Sequence, residues 1–370
     1  MVGRDPELET LDVIVERVSH SLPARGIVLS GLRGVGKTVL LNEMRDRAEQ
    51  AGWFAVGIEA RPDSAGSTSV RRTLARDITA QARALARRDS ITERMRRALE
   101  SITAFNLKIG TGGIDLGVEV TPGRADSGDI EVDLAELVQD LCAALAEQES
   151  AFGLFIDEMQ DLDEELLRAL LVTQHQAGQR GWPFYIVGAG LPHLPGVLAE
   201  VRSYAERLFD YRRIGKLADP EAASALTEPV EPHGVRFEPA ALTYLLGVSG
   251  GYPYFLQFVS AYLCRSITTP DVSAADYRAV EPALLHELDL AFFEDLKSQG
   301  VITNYTATYE DAIQLPKAEG GRIAVQFSVV DPRLYPFVST PDLEQTTGGD
   351  FRSVLGTPGN VVVSQSVFEI

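Results

Sequence analysis

Eight consecutive residues, Gly31-Leu32-Arg33-Gly34-Val35-Gly36-Lys37-Thr38, combine three glycines with a lysine and a hydroxyl. Their spacing is G-x-x-x-x-G-K-[ST], and the chemistry it suits is the holding of phosphate groups. Glycines at 31, 34 and 36 let the backbone curl so that its N–H groups face one point, with Leu32, Arg33 and Val35 lending their backbone to the same cradle. A helix that begins near Lys37 and runs on through Val39 adds its positive N-terminal end. Lys37 is then the cation that reaches β- and γ-phosphates, and the Thr38 hydroxyl is a magnesium ligand. The alternative is a chance glycine turn before a helix. The apolar strand expected over residues 26–30, immediately before the loop, weighs against it.

About 120 residues downstream of Lys37, Leu154-Phe155-Ile156-Asp157-Glu158 is an apolar run that ends in two acids. Carboxylates at the carboxyl end of a buried parallel strand are costly unless they have a partner or a task. Beside a phosphate loop, Asp157 suits the magnesium shell, and Glu158 suits the orientation and deprotonation of an attacking water. The bland alternative is that both acids open a loop whose Asp161 caps the next helix. The histidines at 20, 175, 193, 233 and 286 show no metal-ligand spacing, and no serine, cysteine or histidine carries a nucleophile signature.

The elements that must position these groups follow a strand–helix rhythm up to about residue 215. Apolar strands are expected at 26–30, 53–58, 152–156, 184–187 and 209–214. Helices are expected at 37–50, 67–88, 133–147, 162–176 and 197–208. Continuous rather than alternating apolar runs imply a parallel sheet covered on both faces, an α/β fold. Residues 101–130 break the rhythm with six glycines and an alternation at Ile114, Leu116, Val118 and Val120, which reads as an exposed insertion with a β-ribbon. From Asp219 to about Gly300 the pattern is helical. After Val301 it turns β-like, with Ile323, Val325, Phe327 and Val329 alternating and 361–370 a further strand. The expected domains are therefore a core over 1–217, a helical domain over 218–298 and a β-rich segment over 299–370 of unassigned role.

The chain has 370 residues, 45% hydrophobic and 24% charged, enough for two or three domains with cores of their own. A formal charge of −19 disfavours nucleic-acid binding through net charge. Cys142 and Cys264 make no disulfide framework and read as reduced, buried thiols of a cytoplasmic protein. Charged residues within the first eight positions leave no room for an apolar leader there. Residues 239–264 carry no charge, yet Gly250, Gly251 and Pro253 interrupt them; two buried helices joined by a turn are expected rather than a membrane span. Residues 71–97 carry nine arginines, of which Arg72, Arg76, Arg83 and Arg87 share one helical face. The expected role is a solvated face paired to the protein's own acids; a protein partner and DNA are the less favoured readings.

The two motifs resemble Walker A and Walker B of an AAA+ ATPase. Two shorter pieces resemble the STAND-like branch and its origin-recognition-type relatives. Val2-Gly3-Arg4-Asp5 is similar to a hydrophobic-Gly-Arg-Glu motif that lies against the nucleotide base, so Gly3 and Arg4 join the expected cofactor contacts. Gly251-Tyr252-Pro253 is similar to the Gly-x-Pro motif of the helical lid that closes over adenine, which adds Pro253. In such proteins an arginine before the fifth strand often completes a neighbour's site, and Arg207 holds that position; the alternative is a salt bridge to Glu200, Glu206 or Asp210. The family also places a polar residue at the end of the fourth strand. Here Gly188-Ala189-Gly190 offers none, and Gln160 is the candidate substitute. The lid's usual arginine is likewise missing. The resemblance implies a P-loop NTPase αβα sandwich with ATP and magnesium as cofactors. Hydrolysis to ADP and phosphate would serve as a conformational or assembly switch, with self-association through the core and an unidentified protein partner. The alternative is a DNA-binding or signalling module whose output is ATP binding itself.

Overall fold

A computed structural model describes residues 1–61, 64–86, 92–109, 124–266, 270–288, 302–310 and 322–329. The chain divides into two compact units, Gly3–Gly215 and Lys216–Ile370.

The first unit runs α1 (Asp5–Ser19), β1 (Gly26–Ser30), α2 (Lys37–Gln50), β2 (Phe54–Glu59), α3 (Ser64–Ala86), α4 (Glu93–Ile109) and α5 (Ile130–Ala146). It continues with β3 (Phe152–Asp157), a 3-10 turn (Met159–Asp161), α6 (Glu164–Arg180), β4 (Phe184–Gly190), α7 (Leu194–Val201), α8 (Ala205–Leu208) and β5 (Phe209–Arg213). The five strands form one sheet in the order β2-β3-β4-β1-β5, parallel throughout. Successive strand residues point to opposite faces, yet every residue of β1 and β4 is buried, so both faces are covered. This is the αβα sandwich of P-loop NTPases. It explains why the strands read as unbroken apolar runs. Only β5, at the sheet edge, is half-buried and carries Asp210, Arg212 and Arg213. Phe54, Phe152 and Phe184 interlock across β2, β3 and β4, with ring centroids 5.3 and 5.0 Å apart.

The strand order places the carboxyl ends of β1, β3 and β4 side by side. Ser30 pairs with Gly190, and Ile156 pairs with Gly188. In open α/β sheets that edge, where connections diverge, is where ligands are held.

Residues 101–109, expected to open an insertion, instead continue α4. The apolar spacing of Met95, Ala98, Leu99, Ile102 and Phe105 carries the helix on, and all five are buried. Ser101 is accommodated there because its hydroxyl donates to Asp140 at 2.6 Å, and Thr103 donates to the Leu99 carbonyl at 2.8 Å. The alternation at Ile114 to Val120 lies outside the described residues. The helix expected over 197–208 is two, because Arg202 adopts an extended conformation between α7 and α8.

The second unit holds α9 (Asp219–Thr227), a 3-10 turn (Glu231–His233), β6 (Arg236–Phe237), α10 (Pro239–Ser249), α11 (Pro253–Ser266), β7 (Asp271–Val272) and α12 (Ala274–Leu288). Leu217, Leu226, Leu245, Leu256, Val259, Leu263 and Tyr277 are among the buried side chains of its core. The uncharged stretch is indeed two helices, α10 and α11, and no helix among the described residues is long and apolar enough to cross a membrane. β8 (Ile302–Glu310) and β9 (Arg322–Val329) pair antiparallel; the alternation at 323–329 falls in β9, whereas β8 was not singled out as a strand. Residues 361–370 lie outside the described residues. Both cysteines are free, but only Cys142 is buried; Cys264 is exposed, since α11 turns it away from Leu263 and the core.

Candidate functional site

β1 delivers the chain to Gly31, whose N–H donates to the Gly190 carbonyl at 3.1 Å. A Cβ at Gly31 would overlap the carbonyl oxygen of Ile214, so only glycine lets the loop leave the sheet here. Gly34 and Gly36 both take positive φ, 80° and 89°, and Val35 between them is buried. Gly36 is the N-cap of α2 and contributes no side-chain cap, and no acid occupies the first helical turn. The N–H groups of Lys37, Thr38 and Val39 therefore lack intrahelical partners and carry the positive end of the helix dipole. This arrangement suits an anion.

Lys37 is buried, with its Nζ donating to the Leu32 carbonyl at 2.8 Å across the loop. Burial lowers its pKa below the ordinary lysine value. The carboxylates of Glu158 and then Asp157 pull the other way, and Arg33 adds to the lowering. The strand-end acids of the second motif thus act on the lysine of the first. Thr38 and Arg33 are exposed at the same loop.

Asp157 ends β3, and its Oδ1 accepts the Glu158 N–H at 3.0 Å. Glu158 lies in the left-handed region, φ 48° and ψ 43°, and turns the chain into the 3-10 segment. Gln160 Nε2 donates to Glu158 Oε2 at 2.7 Å and to Asp161 Oδ2 at 3.1 Å, while its Oε1 accepts the Leu191 N–H at 3.1 Å. Burial raises the pKa of Asp161 above the ordinary aspartate value, and Glu158 adds to the rise. The cap of α6 is not Asp161 but Asp163, whose side chain accepts the Leu166 N–H at 3.0 Å.

Arg4 is buried, and its Nη2 donates to the Val35 carbonyl at 2.9 Å and the Gly215 carbonyl at 2.6 Å. It thus ties the start of the chain, where Gly3 has φ 68°, to the phosphate loop and to the segment after β5. Burial lowers the Arg4 pKa, with Glu7 opposing. Nothing in the sequence marks this bond, which spans 31 and 211 positions.

Arg207 is exposed in α8 and makes no ion pair among the described residues; Asp210, one expected partner, pairs with Arg212 at 2.8 Å. Pro253 begins α11 in the second unit. There the Gly251 carbonyl accepts the Leu217 N–H at 2.8 Å, and a Cβ on Gly251 would overlap the Leu217 carbonyl oxygen. Of the arginines expected to share one face, Arg76 is paired, whereas Arg72 and Arg83 make no ion pair among the described residues. Arg71 binds Asp163 and Glu165, Arg76 binds Asp77, Arg94 binds Glu147, and Arg96 binds Glu93 and Glu100. Arg87 and Arg88 lie outside the described residues.

The family model for the AAA ATPase domain matches residues 1–187. No curated protein sequence matches the chain. Among solved structures, the Walker-type ATPase of Pyrococcus abyssi superposes with a TM-score of 0.55 at 13% identity, covering 81% of this chain and 75% of that one. That likeness shows the fold. The Thermotoga maritima RuvB Holliday junction branch migration motor gives a TM-score of 0.44 at 14% identity, covering 78% and 70%. The Aeropyrum pernix Orc1 protein in complex with DNA gives 0.41 at 13%, covering 81% and 72%.

Proposed function

The chain belongs to the AAA ATPase domain family, and from that premise we propose that it binds ATP with magnesium and hydrolyses it to ADP and phosphate as a conformational or assembly switch. The observation that carries this reading is the strand order, which sets the loop after β1 and the acids Asp157 and Glu158 at the end of β3 on either side of β4, beside an uncapped helix start.

The donor set suits magnesium: a hydroxyl at Thr38 and a carboxylate at Asp157 are the hard oxygen ligands such an ion takes, and these two residues would hold it. The ion would neutralise charge on the phosphates. The backbone of Gly31–Val39 cradles the phosphates, with Lys37 as the buried cation facing them. Glu158 orients the attacking water and takes its proton. Gly3, Arg4 and Pro253 are assigned nucleotide contacts on the resemblance, and in this chain Arg4 also braces the loop through Val35. Arg207 would complete a neighbouring copy's site, which makes self-association part of the proposal. The STAND-type assignment, a cytoplasmic location and a lid role for residues 218–298 belong to the same reading.

The experiment is magnesium-dependent phosphate release from wild type and Glu158→Gln. The substitution keeps the shape and removes the base, so turnover should fall about 10²–10⁴-fold with ATP binding retained. Equal rates would remove Glu158 as the base. A second reading, in which ATP binding alone is the output, is favoured by one feature: Gly188-Ala189-Gly190 end β4 with no polar side chain. A wild type without magnesium-dependent turnover would establish that reading instead.

A further inference from the structure

Gln160 has a side-chain amide whose bonding is nearly saturated. Both carboxylates, Glu158 and Asp161, take their hydrogen bonds from Nε2, and Oε1 takes the Leu191 N–H. The amide orientation is determined by that set. Turned over, the NH2 would face another N–H, and the oxygen would face two carboxylates. The Glu158 backbone is also held where L-residues rarely go, at φ 48°. Gln160, two residues on, donates to the carboxylate of that residue.

The other end of the tie is as specific. Gln160 Oε1 lies so close to Gly190 that a Cβ there would overlap it. The last residue of β4 is thus small enough to let the amide reach the Leu191 N–H beyond it. Ser30 and Gly190 are paired across β1 and β4, and Gly31 donates to the same Gly190. The backbone to which Gln160 anchors is therefore the backbone from which the phosphate loop departs.

We propose that Gln160 is a positioning residue for Glu158: it holds the carboxylate at the end of β3 and refers it to the β4–α7 turn at Gly190 and Leu191. The polar tie that the side chains of Gly188, Ala189 and Gly190 lack is supplied by a backbone N–H and a relayed amide. This rests on the reading of Glu158 as the base of an ATPase. Removing the amide should slow the chemical step and leave ATP binding intact, because Gln160 touches neither the loop backbone nor Lys37 in the bonds it makes.

The test compares single-turnover hydrolysis, ATP affinity by calorimetry and thermal midpoint for wild type, Gln160→Met, Gly190→Ala and the double variant. Gln160→Met removes the hydrogen bonds at similar length. Gly190→Ala leaves Gln160 in place but puts a methyl group where its oxygen lies. Each should lower the rate roughly 10- to 100-fold, the scale of a misplaced catalytic group, with affinity within about twofold. The double variant should be no slower than the slower single one, since both break one tie. Gln160→Asn, one methylene short of spanning its partners, gives the same reading should Gln160→Met not fold. A wild-type rate in Gln160→Met overturns the proposal. So do multiplicative losses in the double variant, or a rate and an affinity that fall together. A wild type with no turnover overturns the ATPase reading and this inference with it, and is distinguished from the other failures by that control.

Discussion

At the scale of single residues, Lys37 decides most. It is the buried cation of the loop, its Nζ is already drawn across to Leu32, and Glu158 and Asp157 both act on its charge. Replacing it by alanine removes a charge-assisted contact worth about 1.5–3 kcal/mol, so Lys37→Ala should weaken ATP binding roughly ten- to over a hundredfold by calorimetry. Unchanged affinity would dissociate the loop from nucleotide binding. Arg4 gives a complementary case. Its Nη2 serves both Val35 and Gly215. Arg4→Ala would leave both carbonyls without that donor, and a loss of about 1–3 kcal/mol should appear in denaturant unfolding, with weaker ATP binding because the loop loses its brace. Full stability would mean that water replaces the guanidinium without cost. These two residues also mark the boundary of what sequence reveals. Lys37 is legible because its loop, strand and helix are contiguous. Arg4 is legible only as part of a short resemblance, since its physical partners come from distant parts of the chain. Gln160 stands between: its nearness to the acids is local, but its anchor at Leu191 is set by sheet order.

At the scale of elements, the sheet was readable because burial on both faces demands unbroken apolar runs, and β1, β3 and β4 supply them. What escaped was α4 as a whole, for which no helix was expected, including its run through Ser101 and Thr103. Polar residues near a glycine-rich stretch look like a loop until Asp140 and the Leu99 carbonyl are seen to satisfy them. A second case is Asp163, which caps α6 and also binds Arg71 of α3, so one carboxylate joins two helices. The two contributions separate by substitution. Asp163→Asn keeps a good cap and loses the ion pair, which is partly solvent-exposed, so it should cost under about 1 kcal/mol. Asp163→Ala loses both and should cost about 1–2 kcal/mol in chemical unfolding. Equal losses in the two variants would mean that the ion pair, not the cap, is what Asp163 provides.

For the molecule as a whole, the proposed function divides one site between two copies of the chain. Arg207 is exposed, and it has no ion pair among the described residues, although acids are close to it in sequence. The proposed function gives Arg207 a role in another copy's site. If it completes a neighbour's site, hydrolysis per chain should rise with protein concentration, because dilution separates the guanidinium from the neighbour's phosphates. Arg207→Ala should then lower turnover about 10³-fold or more while ATP affinity stays nearly intact, since the contact matters most in the transition state. Mixing Arg207→Ala with Glu158→Gln should restore part of the activity, because a mixed interface can pair an intact Glu158 with an intact Arg207. The mixing assay belongs at concentrations well above the dissociation constant of the oligomer found by sedimentation. No rescue in a demonstrably mixed oligomer would remove Arg207 from the site. A concentration-independent rate from a strict monomer would do the same, and would leave Lys37, Asp157, Glu158 and Gln160 to act within a single chain.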